Sequence, residues 1–259
     1  MNQSTLGAVA IVTGAADGLG YAIAHRLFVD GYRVIASDIS DRVHLAFGSP
    51  DERDMVRTVV ADAGDARSGD VLISTALETF GRVDAIINNA GVGGPGSLLE
   101  DTAVDDVIDV FNVNLLGSIR LCQAAIPHLK AQRSGRIVNL GSVYGEQPVI
   151  QGSAYCMSKA AIRSLSQCLA LELGPFGITV NTVAPGYMLT AMHRDEIALQ
   201  AGTLGISVDE RMRQLRASVP LQRQGTGDDV AGTVAWLLSA DTSYVTGQTI
   251  GVNGGIRAS

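Results

Sequence analysis

Residues 8–13 read Ala-Val-Ala-Ile-Val-Thr, a short run rich in β-branched side chains that ends at a glycine turn. Behind the turn, apolar residues recur at helical spacing over 19–28 and stop at Gly31, so the chain opens as strand, turn, helix. The alternation continues. Strands are predicted over 33–37, 57–60 and 85–88, with a helix over 71–80 that closes at Gly81. Two long helical patterns, 104–130 and 155–173, each lead into a strand, at 136–140 and 179–183; a helix over 228–239 and a strand over 248–252 complete the chain. Such alternation predicts an α/β fold: a doubly wound, mostly parallel sheet of seven strands, with helices on both faces and right-handed crossovers.

Two connections depart from this rhythm. Between 40 and 55 a Gly-Ser-Pro breaker stands where a crossover helix belongs, so a short or irregular link is expected. From 187 to 224 there is no strand character, and the Ala-, Glu-, Met- and Arg-rich text predicts one or two helices forming a lid over a substrate site. The length of 259 residues suits one α/β domain spanning 1–259.

Composition narrows the partners. With 46% hydrophobic and 17% charged residues, there is apolar material enough for a sheet covered on both faces. The formal net charge is −7 and the Lys and Arg residues are scattered, which argues against nucleic acid or an anionic membrane as partner. Cys122, Cys156 and Cys168 form no Cys-x-x-Cys and lie in predicted helices, where they read as small buried hydrophobes in a reducing compartment. His25, His44, His128 and His193 show no ligand spacing, so no metal is expected and surface or helix positions suit them. The apolar run at 6–12 lacks a basic leader and no later stretch is long enough to span a bilayer, so a soluble, cytoplasmic protein is expected.

The turn Thr13-Gly14-Ala15-Ala16-Asp17-Gly18-Leu19-Gly20 sits between the first strand and the first helix, where helix N–H groups face a pyrophosphate and glycine permits close approach. Asp38 ends the second strand about 20 residues on, where a carboxylate accepts hydrogen bonds from both adenosine ribose hydroxyls. NAD is therefore the expected cofactor. A 2′-phosphate there would meet this charge at a cost of about 1–4 kcal/mol for charges about 4 Å apart. Asp17 adds no cation, and Arg42 is the one nearby group that would offset the repulsion.

Tyr155 and Lys159 stand at i and i+4, neighbours on one helical face. A free phenol has a pKa of about 10, and an adjacent ammonium is expected to draw it down toward use as a base. Alone the pair is equally an amphipathic Tyr packed on a snorkelling Lys. Its company decides. Asn88-Asn89-Ala90-Gly91 ends the fourth strand, Asn114 lies in the following helix, Ser142 follows the fifth strand and Pro185-Gly186 follows the sixth. All fall at the carboxyl edge of the sheet, where open α/β folds bind ligands. With these motifs the chain resembles the short-chain dehydrogenase/reductase family, over about residues 8–255.

That resemblance implies a single-domain Rossmann fold and hydride transfer between NAD(H) and a small-molecule alcohol or ketone. Tyr155 would be the general acid/base, Lys159 would lower its pKa and hold the nicotinamide ribose, Ser142 would hydrogen-bond the substrate oxygen, and Asn114 would hold a water linking Lys159 to solvent. Cofactor contacts would come from Gly14, Asp17, Gly18, Leu19, Gly20, Asp38, Ile39, Asp62 and Ala63 toward the adenosine, with Asn89, Ala90 and Gly91 flanking it. Tyr155, Lys159, Pro185, Gly186, Met188 and Thr190 would lie nearer the nicotinamide. The substrate pocket is expected from Ser142, Tyr144, Gln147, Tyr155 and Tyr187. The lid is similar to that of members acting on polyols and vicinal diols, and the family also implies a homotetramer. Two alternatives stay open: an NADPH-dependent ketoreductase, and a non-catalytic nucleotide-binding regulator. A serine hydrolase is disfavoured, because Gly141-Ser142-Val143-Tyr144-Gly145 lacks the nucleophile-elbow spacing.

Overall fold

A computed structural model describes residues 7–49, 52 and 54–257. Leu6 at the head of the first apolar run, Pro50 of the breaker, and both ends of the 1–259 domain lie outside the described residues. The strands are β1 (Val9–Thr13), β2 (Arg33–Asp38), β3 (Val56–Val60), β4 (Ala85–Asn88), β5 (Gly135–Leu140), β6 (Ile178–Pro185) and β7 (Thr249–Val252). The helices are α1 (Gly18–Val29), α2 (Val43–Ala46), α3 (Ser68–Phe80), α4 (Val104–Phe111), α5 (Gly117–Gln132), α6 (Ser153–Leu173), α7 (Ala191–Leu204), α8 (Val208–Ser218) and α9 (Gly227–Leu238). The sheet runs β3-β2-β1-β4-β5-β6-β7, and every neighbouring pair is parallel.

Strand periodicity sorts the core into two. Ala10 and Val12 of β1 face Ile23 and Leu27 of α1 and Val230, Val234 and Leu237 of α9. Val9 and Ile11, pointing the other way, meet Leu72 and Ile73 of α3, Leu121 and Leu129 of α5, and Leu169 and Leu173 of α6. Each large aliphatic residue so buried stabilises the fold by about 1.5–3 kcal/mol. Covered on both faces, the strands carry continuous apolar runs rather than alternation. The winding reverses between β1 and β4, which opens a crevice at their carboxyl ends.

Two expectations change, those for the 104–130 helix and for Cys168, and two are met, those for the 40–55 connection and for helices in the 187–224 connection. The 104–130 pattern is not one helix: α4 and α5 are joined by a π-helical turn, Asn112–Leu116, with Asn114 inside it. The 40–55 link holds only the four-residue α2. The 187–224 connection holds α7 and α8, capped by the Thr190 and Ser207 hydroxyls, which accept from His193 N and Glu210 N. Cys122 and Cys156 are buried, but Cys168 is exposed. It lies opposite the face on which Ile162, Leu169 and Leu173 are buried, so that apolar stripe serves the protein's own core. No helix among the described residues is long and apolar enough to cross a membrane.

Candidate active site

The crevice starts at the β1–α1 turn. Gly14 has φ +66°, and a Cβ there would lie 2.9 Å from Asn89 Nδ2 and 3.0 Å from Ala90 Cα. A Cβ on Gly20 would lie 1.9 Å from the Gly14 carbonyl oxygen. Both positions therefore demand glycine. Asn89 closes the turn from β4: its Nδ2 donates to the carbonyls of Thr13 (2.8 Å) and Gly14 (3.1 Å). The backbone N–H groups of Asn89 and Ala90 donate to Thr13 Oγ1, each at 3.1 Å. Asp17 caps α1 by accepting from Gly18 N at 2.7 Å. Gly18, Leu19 and Gly20 then line the crevice at the helix N-terminus.

At the end of β2 the Asp38 carboxylate is held at both oxygens, Oδ2 accepting from Ala16 N and Oδ1 from Ser40 N, each at 2.9 Å. Asp38, exposed Ile39, Asp62 and Ala63 border a recess on the β2–β3 side that also touches Ala90 and Gly91. Asp62 Oδ1 accepts from Gly64 N at 2.7 Å, which fixes the turn after β3. Gly14, Asp38, Ala90 and Gly91 also border a larger cavity of about 630 Å³, so the two recesses adjoin. Ser142, Tyr144, Tyr155, Lys159 and Tyr187 line the larger one, together with Pro185, Gly186, Met188 and Thr190.

Tyr155 and Lys159 rise from α6 as the spacing predicts, but their electrostatics differ from expectation. Burial pushes the Tyr155 phenol up to about 12, against a hydrogen bond from Ser142 that pulls it down. Burial also brings the Lys159 ammonium down to about 8. Lys159 Nζ donates to the Leu140 carbonyl at 2.8 Å and lies 5.7 Å from the Tyr155 ring centroid. Desolvation of the phenol thus outweighs the Ser142 hydrogen bond, and Lys159 is not among the groups that shift it, contrary to the expectation from spacing. Asn114 is buried behind Gly91: its Oδ1 accepts from Val92 N at 2.7 Å, and its Nδ2 donates to Val92 O and Ser158 Oγ, each at 3.0 Å. A Cβ on Gly91 would sit 3.1 Å from Asn114 Oδ1 and 3.4 Å from Lys159 Nζ, so the Asn stands beside the Lys without lining the cavity. Ser142 Oγ accepts from Tyr144 N at 3.1 Å, which orients its hydroxyl.

Gln147 is not brought in. It is exposed and does not line the cavity, because the turn that follows Ser142 carries it outward. Gln151 lines the cavity instead, at φ +64°. Sequence reasoning also passed over His193 and Glu196 of α7, whose i, i+3 spacing was visible within the lid; Tyr144 donates to Glu196 Oε1 at 3.1 Å.

The chain's relatives agree with this geometry. The family model described as Enoyl-(Acyl carrier protein) reductase matches residues 14–257. An uncharacterized oxidoreductase of Methylorubrum extorquens is 36% identical over 262 residues, covering 97% of this chain and 98% of that one. The 3-oxoacyl-[acyl-carrier-protein] reductase of Haemophilus influenzae is 34% identical over 253 residues, 98% of this chain and 99% of its own. Among solved structures, an NAD+-bound xylitol dehydrogenase superposes with a TM-score of 0.90 at 31% identity, covering 96% of this chain and 99% of that one. With the glycine turn, the Tyr155–Lys159 pair and Ser142 gathered on one crevice, the chain belongs to the short-chain dehydrogenase/reductase family of oxidoreductases.

Proposed function

We propose that the protein transfers hydride between NAD(H) and a secondary alcohol or ketone, with a polyol or vicinal diol as substrate class. The observation that carries this is the meeting of Tyr155, Ser142 and Lys159 with the Gly14–Gly20 turn and Asp38 on one crevice. The residues fit a dinucleotide: Gly14 and Gly20 let the turn close tightly against β4, so that Gly18 to Gly20 open the crevice at the start of α1, and Asp38 is fixed where ribose hydroxyls would donate to it. When bound, the nicotinamide supplies a hydride acceptor or donor. The chain's part is the proton. In reduction the Tyr155 phenol donates to the substrate oxygen while Ser142 orients it; in oxidation the phenolate takes the hydroxyl proton back. Lys159 holds positive charge beside the phenolate, and Asn114, fixed by the Val92 backbone and Ser158 Oγ, stands beside it. The helices α7 and α8 would act as the lid, and exposed Val104, Ile108 and Leu171 support assembly into a homotetramer.

A second reading, an NADPH-dependent ketoreductase, draws on the 3-oxoacyl reductase relative. Asp38 opposes it. Arg42 lies with its Nη2 3.7 Å from Asp17 Oδ2 in an exposed pair, so two carboxylates, Asp17 and Asp38, stand against its one charge. Steady-state assays are expected to give kcat/KM for NAD about 10- to 10³-fold above NADP, matching the 1–4 kcal/mol repulsion, and Asp38→Asn should narrow the ratio by about tenfold. A wild-type preference for NADP overturns the assignment. Silence across polyols, diols and ketones with either nicotinamide favours a regulator.

The pH dependence follows from the buried pair. Oxidation needs phenolate beside ammonium, a state with one proton between the two groups. Phenol beside amine holds the same number, and the pair reaches that count as Lys159 titrates near 8. Oxidation kcat/KM is therefore expected to rise about tenfold per pH unit up to about pH 8 and level off above it. Reduction, which needs phenol and ammonium together, should fall above the same pH. Initial rates between about pH 6 and 10 check this; an oxidation rate flat below pH 8 contradicts it.

A further inference from the structure

The lid helix α7 carries a pair that the proton transfer above does not use. His193 Nδ1 lies 3.1 Å from Glu196 Oε2, three residues along the helix. The other carboxylate oxygen accepts from Tyr144 Oη at 3.1 Å and from Gln200 Nε2 at 2.9 Å. Arg211 Nε, on α8, in turn donates to Gln200 Oε1 at 2.8 Å. The imidazole stacks on Tyr187 with centroids 5.3 Å apart and planes inclined by 9°. Stack and carboxylate together hold the ring in one orientation.

That orientation assigns its nitrogens. A carboxylate only accepts, so Nδ1 carries the hydrogen and Nε2 of the neutral ring is an acceptor. His193 borders the cavity that holds Tyr155 and Ser142, and its Nε2, on a residue only 7% exposed, is buried without a hydrogen-bond partner. A buried acceptor left unpaired costs stability, and such a group in a cleft marks a place for a ligand donor. The other charged groups at this end of the cavity, Asp195 and Glu196, are both acidic, which disfavours a carboxylate or phosphate as that ligand. A hydroxyl donates and is neutral.

Resting on the hydride-transfer reading above, we propose that His193 Nε2, held by Glu196, accepts a hydrogen bond from a second substrate hydroxyl next to the reacting carbon, so that the enzyme selects vicinal diols and α-hydroxy ketones over simple alcohols and ketones. The second hydroxyl keeps its proton and takes no part in the redox step. Its role is to fix which carbon faces the nicotinamide.

Oxidation of butane-2,3-diol and of butan-2-ol with NAD tests this, in the wild type and in His193→Phe, which keeps a flat ring on Tyr187 and removes both nitrogens. Wild-type kcat/KM is expected to favour the diol by about tenfold or more, the worth of one well-placed hydrogen bond. His193→Phe should erase that preference by lowering the diol value about tenfold and leaving butan-2-ol within about twofold. Glu196→Gln, whose amide oxygen still accepts from Nδ1–H, should fall between. Equal wild-type use of the two alcohols, or an equal loss on both in His193→Phe, overturns the assignment of His193 while leaving hydride transfer standing. The wild-type ratio needs no variant and decides alone if a substitution prevents folding. No turnover of either alcohol, or of the corresponding ketones, with either nicotinamide overturns both.

Discussion

Replacing Tyr155 with Phe is expected to lower kcat by about 10³-fold or more while NADH affinity stays within about threefold, since positioned general acid–base catalysis is worth about 10²–10⁴-fold. The substitution removes one oxygen and keeps the ring. Packing on α6 and the face presented to Lys159 survive, so the loss reports the proton path and not the fold. Reduction loses its donor to the nascent alkoxide, and oxidation loses its base. Water is a poor replacement, because Tyr155 and Lys159 are both held in a largely desolvated setting that shifts their pKa values. NADH affinity should persist because the Gly14–Gly20 turn and Asp38 are fixed by bonds that do not involve Tyr155. Absorbance of NADH measures the first quantity and a fluorescence titration the second. A variant with kcat near wild type would remove Tyr155 from its role.

Most of this site was legible because its parts are tied to strand ends. The turn at Gly14, the Asn89 segment, Ser142 and Pro185 each follow an apolar run that ends abruptly, and parallel pairing brings those ends to one edge. A local pattern thus specified a non-local meeting. The π-helical turn around Asn114 was not legible, because helical periodicity continues across it and only the backbone shows the widened turn. The same limit applied to Cys168: membership of a helix was visible, but the face it occupies depends on where α6 docks.

The substrate side was read least well, for a physical reason. Gln147 lies five residues beyond Ser142, in a stretch with no strand or helix period to set its direction, and the turn takes it to solvent. His193 and Glu196 sit on a helix that no strand end anchors; their partners Tyr144 and Tyr187 come from loops about 50 and 6 residues away. The pKa of Tyr155 belongs with these. Spacing alone identified the Lys neighbour, but burial sets the sign of the net shift, and burial is a property of the packed cavity.

The second large effect is expected at Gly20, where Ala should weaken dinucleotide binding by about 100-fold or more and destabilise the fold by about 1–3 kcal/mol. A Cβ at that position would stand 1.9 Å from the Gly14 carbonyl and 2.5 Å from Asn89 Nδ2. Neither neighbour can yield cheaply. The Gly14 carbonyl is backbone in a left-handed turn, and Asn89 Nδ2 is the group that bridges the Thr13 and Gly14 carbonyls. To admit the methyl, the start of α1 must move away from β1, and with it the N–H groups of Gly18 to Gly20 that would face the pyrophosphate. Gly232→Ala is the control: it lies inside α9, its nearest new neighbour is Arg26 Nη1 at 4.0 Å, and it should stabilise by about 0.5–1 kcal/mol through helix propensity alone. Thermal unfolding with and without NADH separates the two contributions, because ligand binding raises the apparent stability of wild type and Gly232→Ala but adds little to Gly20→Ala. If Gly20→Ala binds NADH as wild type does, the turn does not cradle the phosphates, and the dinucleotide must be held elsewhere along the crevice.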